Sequence, residues 1–266
     1  MNTIGTVESL WRYPVKSMGG EELDEMFAGF PGVYCDRLFA FRSSASPRGF
    51  PYLTAREQHQ MLRYRPRFRH PEKAAAPLNL SEAEGIGPGA NPVYADLKDL
   101  MVDVETPTGK IIAIDDPSLI DMLRAGIDEK HHLTLVRSER TMTDCRPVSL
   151  FTLQTVKQLA EETGTTVDKR RFRANVYLEL TAAEGFAEDR FVGNSLRIGS
   201  KVILSSLERD PRCIMITLDP DTGAIEPALL KKVAQAHRGM AGVYAAVVAE
   251  GMIRKGDSVE LVGRNP

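Results

Sequence analysis

The chain has 266 residues and a mass of 29.4 kDa, enough to bury a substantial core in one large domain or two small ones. With 42% apolar and 26% charged residues, it excludes collagen, coiled coil and general disorder. A net charge of −2 provides no global positive field for nucleic acid or anionic lipid, so any anion site must be local.

In chain order, residues 4–11 alternate in polarity as a strand, and Pro14 ends it because proline cannot donate to a ladder. Further strands are expected at 33–41 and 63–70. Residues 80–92 are the most linker-like stretch. Their Gly85-Ile86-Gly87-Pro88-Gly89 centre reads as a plain surface loop, with no strand leading into it and no helix following. Strands at 101–105 and 110–114 precede a helix start at Asp115-Asp116-Pro117-Ser118, which has an acidic cap and a first-turn proline. A strand at 133–136 is followed by a helix from 152 to about 162, closed by Gly164. Residues 175–180, 196–207 and 214–218 read as strands. A helix near Pro227 and strands at 243–249 and 258–262 complete the chain. Many short strands, few helices and no regular βαβ alternation predict a mainly β, α+β fold of barrel-like character.

Three cysteines, Cys35, Cys145 and Cys213, are an odd number, far apart and without a CxxC pair, which points to a reducing compartment. No zinc or iron–sulfur ligand spacing is present. Residues 1–8 lack the basic and apolar regions of a signal peptide, and the weakly polar run 241–249 is far below a membrane span. A soluble, cytoplasmic protein with no membrane partner is expected.

Cys213 stands between Asp210-Pro211-Arg212 and the apolar run Ile214-Met215-Ile216, where a strand mouth presents a thiol to a pocket. The adjacent Arg212 would favour thiolate, the form that attacks electrophiles or binds soft metals. The plain alternative is a space-filling buried cysteine. Cys35 has no such setting, and Cys145 lies in a loop beside Asp144. Lys16 and Arg37 sit at strand ends. On an extended strand, Arg171, Arg173 and Asn175 would share one face. Such a cluster suits a phosphate, or a pterin-like ring with a phosphate tail, although each residue taken singly reads as a solvated surface group. Arg63, Arg65, Arg67 and Arg69 form a stripe with Tyr64 and Phe68 opposite, either a charged edge strand or an anion-attracting wall. His131-His132 reads as structural. Asp219-Pro220-Asp221-Thr222-Gly223 reads as a tight turn rather than a calcium loop. Serine-hydrolase, zincin and Walker motifs are missing.

Several fragments together resemble one family. Tyr13-Pro14-Val15-Lys16-Ser17, Cys35-Asp36-Arg37 and Leu53-Thr54-Ala55-Arg56 look like the β-barrel domain that precedes a MOSC domain. Phe172-Arg173-Ala174-Asn175, Phe186-Ala187-Glu188-Asp189, Leu196-Arg197-Ile198-Gly199 and the stretch from Arg212-Cys213 to Gly223 resemble the MOSC domain itself. That resemblance implies two units, residues 1–100 and 101–266, and a molybdenum cofactor (molybdenum–molybdopterin) with Cys213 as the protein ligand to the metal. By the same resemblance, Lys16, Arg37, Arg173, Asn175 and Arg212 hold pterin and phosphate, and Asp144 is a carboxylate near the metal with a catalytic role. The activity implied is that of an oxidoreductase acting on an N-oxygenated or related small molecule. No iron–sulfur domain follows, so electrons would come from a separate protein. The family's amidoxime reducers carry Cys-Ser-Arg-Cys or Cys-Thr-Arg-Cys where this chain has Asp210-Pro211-Arg212-Cys213, and the arginine stripe replaces mostly apolar residues. The stripe implies a preference for anionic substrates. Two other readings use the same residues: a sulfur carrier or transferase with a Cys213 persulfide, and a cofactor carrier without turnover.

Overall fold

In the computed structural model, which describes residues 3–85 and 90–263, β1 (Thr3–Arg12) runs up to Tyr13-Pro14 and stops there, as the proline requires. It is the first of seven barrel strands, followed by β2 (Val148–Thr152), β3 (Val176–Leu180), β4 (Ser195–Ile198), β5 (Val202–Pro211), β6 (Met240–Ala249) and β7 (Ser258–Gly263). The order round the barrel is β1-β3-β2-β6-β5-β4-β7, and β7 pairs back onto β1. Alternate side chains fill the interior, among them Val7, Leu178, Leu196, Leu204 and Val243, all buried.

Only β2 and β3 run parallel, and helix Leu153–Thr163 makes the crossover between them. Thr152 caps that helix by accepting from the Thr155 N–H, and Gly164 ends it in the left-handed conformation at φ 67°. The sequence pattern conceals β2 because Val148-Ser149-Leu150-Phe151-Thr152 enters the helix with no turn residue between. All five residues are buried, so there is no alternation to read. Val148 and Leu150 face the barrel core, while Phe151 packs under the helices Leu153–Thr163 and Ala228–Ala236 with Leu159, Phe172 and Val233.

Smaller sheets surround a second core built on Phe39, Phe41, Leu53, Met61 and Leu100. Phe39–Ser43 pairs with Leu133–Arg137, and Arg65–Phe68 with Val102–Glu105, which also pairs with Ile111–Ala113. Glu25–Gly29 pairs with Gly32–Val33 and with Gly251–Arg254. β1 belongs to the barrel, and Arg65–Phe68 bonds to Val102–Glu105.

Several expected strands take other forms, and residues 33–41 are split by a turn between Gly32–Val33 and Phe39–Ser43. Residues 196–207 divide into β4 and β5 around a turn at Gly199, where φ is 62°. Ile214–Thr217 is a 3-10 helix, so Cys213 follows a strand instead of opening one. Lys169–Phe172 is also a 3-10 helix and Arg173 is left-handed at φ 53°, so Arg171, Arg173 and Asn175 share no strand face. The arginine stripe is broken as well. Arg63 ends the 3-10 helix His59–Arg63, and only Arg65 and Arg67 stand exposed on the edge strand Arg65–Phe68. Residues 86–89 of the glycine-rich loop lie outside the described residues. Among the described residues no helix is long and apolar enough to cross a membrane.

Candidate functional site

β1 delivers Tyr13 to Lys16 to one end of the barrel, where the turn at Asp36 fixes them. Asp36 Oδ1 accepts from the Tyr13 N–H at 2.8 Å, and the Arg37 N–H donates to the Tyr13 carbonyl at 2.7 Å. Ser17, Arg37 and Arg173 are left-handed, with φ of 65°, 44° and 53°. Each such non-glycine residue costs on the order of 1 kcal/mol. All three line one cleft of about 370 Å³.

Seven basic side chains line this cleft against two carboxylates, Asp144 and Asp210. A chain of net charge −2 thus concentrates positive charge at one place. The cleft brings together Lys16, Arg37, Arg173, Asn175, Arg212, Asp144 and Cys213. Lys16 Nζ donates to the Met142 carbonyl at 2.7 Å and to Asp144 Oδ1 at 2.5 Å, beneath the Phe50 ring at 4.8 Å. Arg37 is paired with Asp36 at 2.5 Å, donates to the Arg173 carbonyl at 3.1 Å, and lies 4.4 Å over the Tyr13 ring. Arg173 lies 4.2 Å over the same ring, and its buried Nη2 has no hydrogen-bond partner. Burial pushes the Arg173 guanidinium down to about 10.

Other members are committed internally. Asn175 Oδ1 accepts from the Ser149 N–H and Nδ2 donates to the Trp11 carbonyl, both at 3.2 Å, so it clamps β1 to β2 and keeps one amide hydrogen for a ligand. Arg171 is turned away, toward the Thr217 carbonyl, Asp219 and Glu226. Arg212 donates from Nε to the Ala241 carbonyl at 2.7 Å and from Nη1 to the Phe172 carbonyl at 3.0 Å, and pairs with Asp210 at 2.8 Å. It holds the backbone that carries Cys213.

The cation facing the Cys213 thiol is Arg56. Burial works against its charge, but its interactions with Cys213 and with the Asp144 carboxylate at 2.6 Å outweigh that and raise its proton affinity. Burial likewise opposes ionisation of Asp144, yet Lys16, Arg56 and Arg37 hold it below the usual carboxylate range. The sequence reading gave Arg56 no role, although it stands in the quoted Leu53-Thr54-Ala55-Arg56 fragment. Tyr13, whose ring meets two guanidinium groups, and Asp210 were also missed. Of the other thiols, Cys35 is core-buried and pushed up to about 12 by burial, and Cys145 is exposed on the cleft rim.

Asp210 is 2% exposed, and burial raises it to about 6 despite Arg212, Tyr244 and Ser149. Its folded value lies above its unfolded value, so protonation favours the fold. The contribution of Asp210 to stability is therefore expected to be full below the ordinary aspartate value and to be lost as pH rises through about 6. Asp210→Asn should remove that slope, which urea denaturation across the window would read. Parallel pH profiles for the two proteins would refute it.

A seven-stranded barrel with a basic cleft and a thiol at its end defines the class. The chain is a MOSC-domain protein with a MOSC N-terminal β-barrel domain. Residues 129–260 match the MOSC domain and residues 4–99 the MOSC N-terminal beta barrel domain. It is similar to mitochondrial amidoxime reducing component 2 of Macaca fascicularis, 29% identical over 44% of this chain and 37% of that protein. The matched stretch is thus little more than a third of that relative's length. The Rattus norvegicus protein of the same name is 21% identical over 97% of this chain and 84% of its own. A solved structure, the YUAD protein from Bacillus subtilis, aligns over 98% of this chain and 97% of that one, at 13% identity and a TM-score of 0.49.

Proposed function

We propose that this cleft holds a molybdenum–pterin cofactor with Cys213 as its protein ligand. The chain would then serve as an oxidoreductase for a small N-oxygenated molecule, drawing electrons from a separate protein. The observation that carries this reading is Arg173, a cation without a carboxylate partner among the described residues, in a basic cleft that also presents a thiol. An orphaned guanidinium donor asks for an anion, and a thiolate suits a soft metal, so the residues present fit such a group.

When bound, the cofactor would supply two-electron redox chemistry, which protein side chains cannot provide alone. The chain's own residues would bind and orient. Arg173, Lys16 and Arg37 would take phosphate and pterin acceptors, with the free Asn175 amide hydrogen beside them. Arg212 would act through the backbone, keeping Cys213 in place after β5. Asp144, held ionised by Lys16 and Arg56, is too weak a base to carry protons efficiently near neutral pH. Its role would be to aim Arg56 and to orient water or substrate at the cleft mouth.

Metal and pterin analysis of protein purified from molybdenum-replete cells tests the reading. Stoichiometric molybdenum is expected in the wild type, with at least a tenfold loss in Cys213→Ser. No molybdenum in either, beside a molybdenum-dependent control protein that loads normally, would overturn it. A persulfide on Cys213 would then favour sulfur transfer.

A further inference from the structure

A second cleft, of about 290 Å³, adjoins the first across Arg171, Arg173 and Met215. Its lining is mixed: buried Leu62, Pro66, Leu218 and Tyr13 stand beside charged groups, and Trp11 is among the lining residues. Arg65 and Arg67 rise from the edge strand at its rim, and they are the half of the arginine stripe that faces a cavity.

The carboxylates around this cleft are already taken. Glu21 accepts from Arg12 at 2.7 Å, and Glu22 lies 3.6 Å from Lys255. Asp221 accepts two bonds from Arg170, at 3.0 and 2.6 Å, which leaves Arg65 a 3.5 Å approach to an occupied group. Asp103, opposite Arg67 in the ladder, binds Arg69 at 2.7 Å. Arg67 has no ion pair or side-chain hydrogen bond among the described residues. Separately, Trp11 Nε1 is a buried donor with no acceptor. Such a donor is costly until something accepts from it.

We infer that the second cleft binds a small organic anion, an apolar body carrying a carboxylate, with its charge against Arg65 and Arg67 and its body against Leu62 and Leu218 beside Trp11. Two guanidinium groups at one rim match the two oxygens of a carboxylate, and the apolar members of the lining (Trp11, Leu62, Pro66, Met215 and Leu218) would take a small apolar body. Arg173 borders both clefts, so an anion bound here would lower the positive potential that the first cleft feels. The site stands independently of any metal at Cys213.

Trp11 is the only tryptophan in the chain, so its fluorescence reports this cleft alone. The probes are benzoate and its neutral isostere benzamide, titrated into the wild type, the doubly substituted Arg65→Gln/Arg67→Gln protein and Cys213→Ser. Both arginines are exposed, so their removal leaves the fold intact. A saturable change with benzoate is expected, weakened about fivefold or more in the double variant, weaker for benzamide and unaltered by Cys213→Ser. Titration calorimetry on the same samples gives a second readout. No saturable response to benzoate, equal binding by the double variant, or equal binding of benzamide would each overturn the proposal. Loss of molybdenum binding in Cys213→Ser would leave this result untouched, so the two readings fail separately.

Discussion

Arg173→Gln is expected to stabilise the cofactor-free protein by about 1–3 kcal/mol and at the same time to weaken its hold on an anionic cofactor at least tenfold. Arg173 sits on the Tyr13 ring with Arg37 on the same ring and no carboxylate of its own. Burial lowers its proton affinity to about 10, and the nearby Arg37 charge adds to the effect, so the folded protein bears a cation that water would hold more comfortably. Glutamine removes the charge and keeps a comparable stem. Its backbone carbonyl remains available to Arg37. The urea midpoint of cofactor-free protein should rise while molybdenum content falls. A lower midpoint would show that Arg173 pays its way structurally and would remove the argument that its charge awaits a ligand. Such opposition between stability and function is common where a site is pre-charged for its ligand.

Gly242→Ala should cost about 3–5 kcal/mol and disturb Cys213 from a distance. Gly242 lies in β6 at φ +77°, where an L side chain is strained. A Cβ there would sit 2.6 Å from the Phe151 ring, 2.9 Å from Arg212 Nη2 and 2.9 Å from the Leu150 carbonyl. Phe151 is fully buried and the carbonyl belongs to β2, so neither can yield. Arg212 must move, and with it the bonds to the Ala241 and Phe172 carbonyls and the pair with Asp210. Thermal melting would show the loss in stability. Alkylation of Cys213 by iodoacetamide, compared with the wild type, would show whether its backbone has shifted. An unchanged melting temperature would mean that β6 relaxes around the new methyl group.

The sequence told much of this, and its gaps have physical causes. Pro14 and Gly164 mark real ends because each acts through its own backbone geometry, without help from distant residues. Cys213 with its basic neighbours is legible as a candidate because charge and thiol chemistry are visible in residue type alone. Which cation faces the thiol is not legible. Arg212 is adjacent in sequence, but the carbonyls of Ala241 and Phe172 draw its guanidinium away, and Arg56 arrives from a loop more than a hundred residues earlier. The 3-10 helix at Ile214–Thr217 looked like a strand because three of its four residues are apolar, and a helical turn that short has too few positions to show a period. β2 was hidden by burial on both faces.

The pairing of β1 with β3 and β7 bears on how the protein comes into being. A ribosome releases β1 well before both partners, since β3 begins at Val176 and β7 only at Ser258. Throughout that interval β1, apart from Leu10–Arg12 paired with Glu21–Leu23, has bare ladder edges, the kind of surface that seeds association between nascent chains. Loop closure over the long stretch between β1 and β7 must precede barrel assembly, which makes it a slow event. Codon substitutions that slow elongation before β7 would lengthen that vulnerable interval without altering a single amino acid.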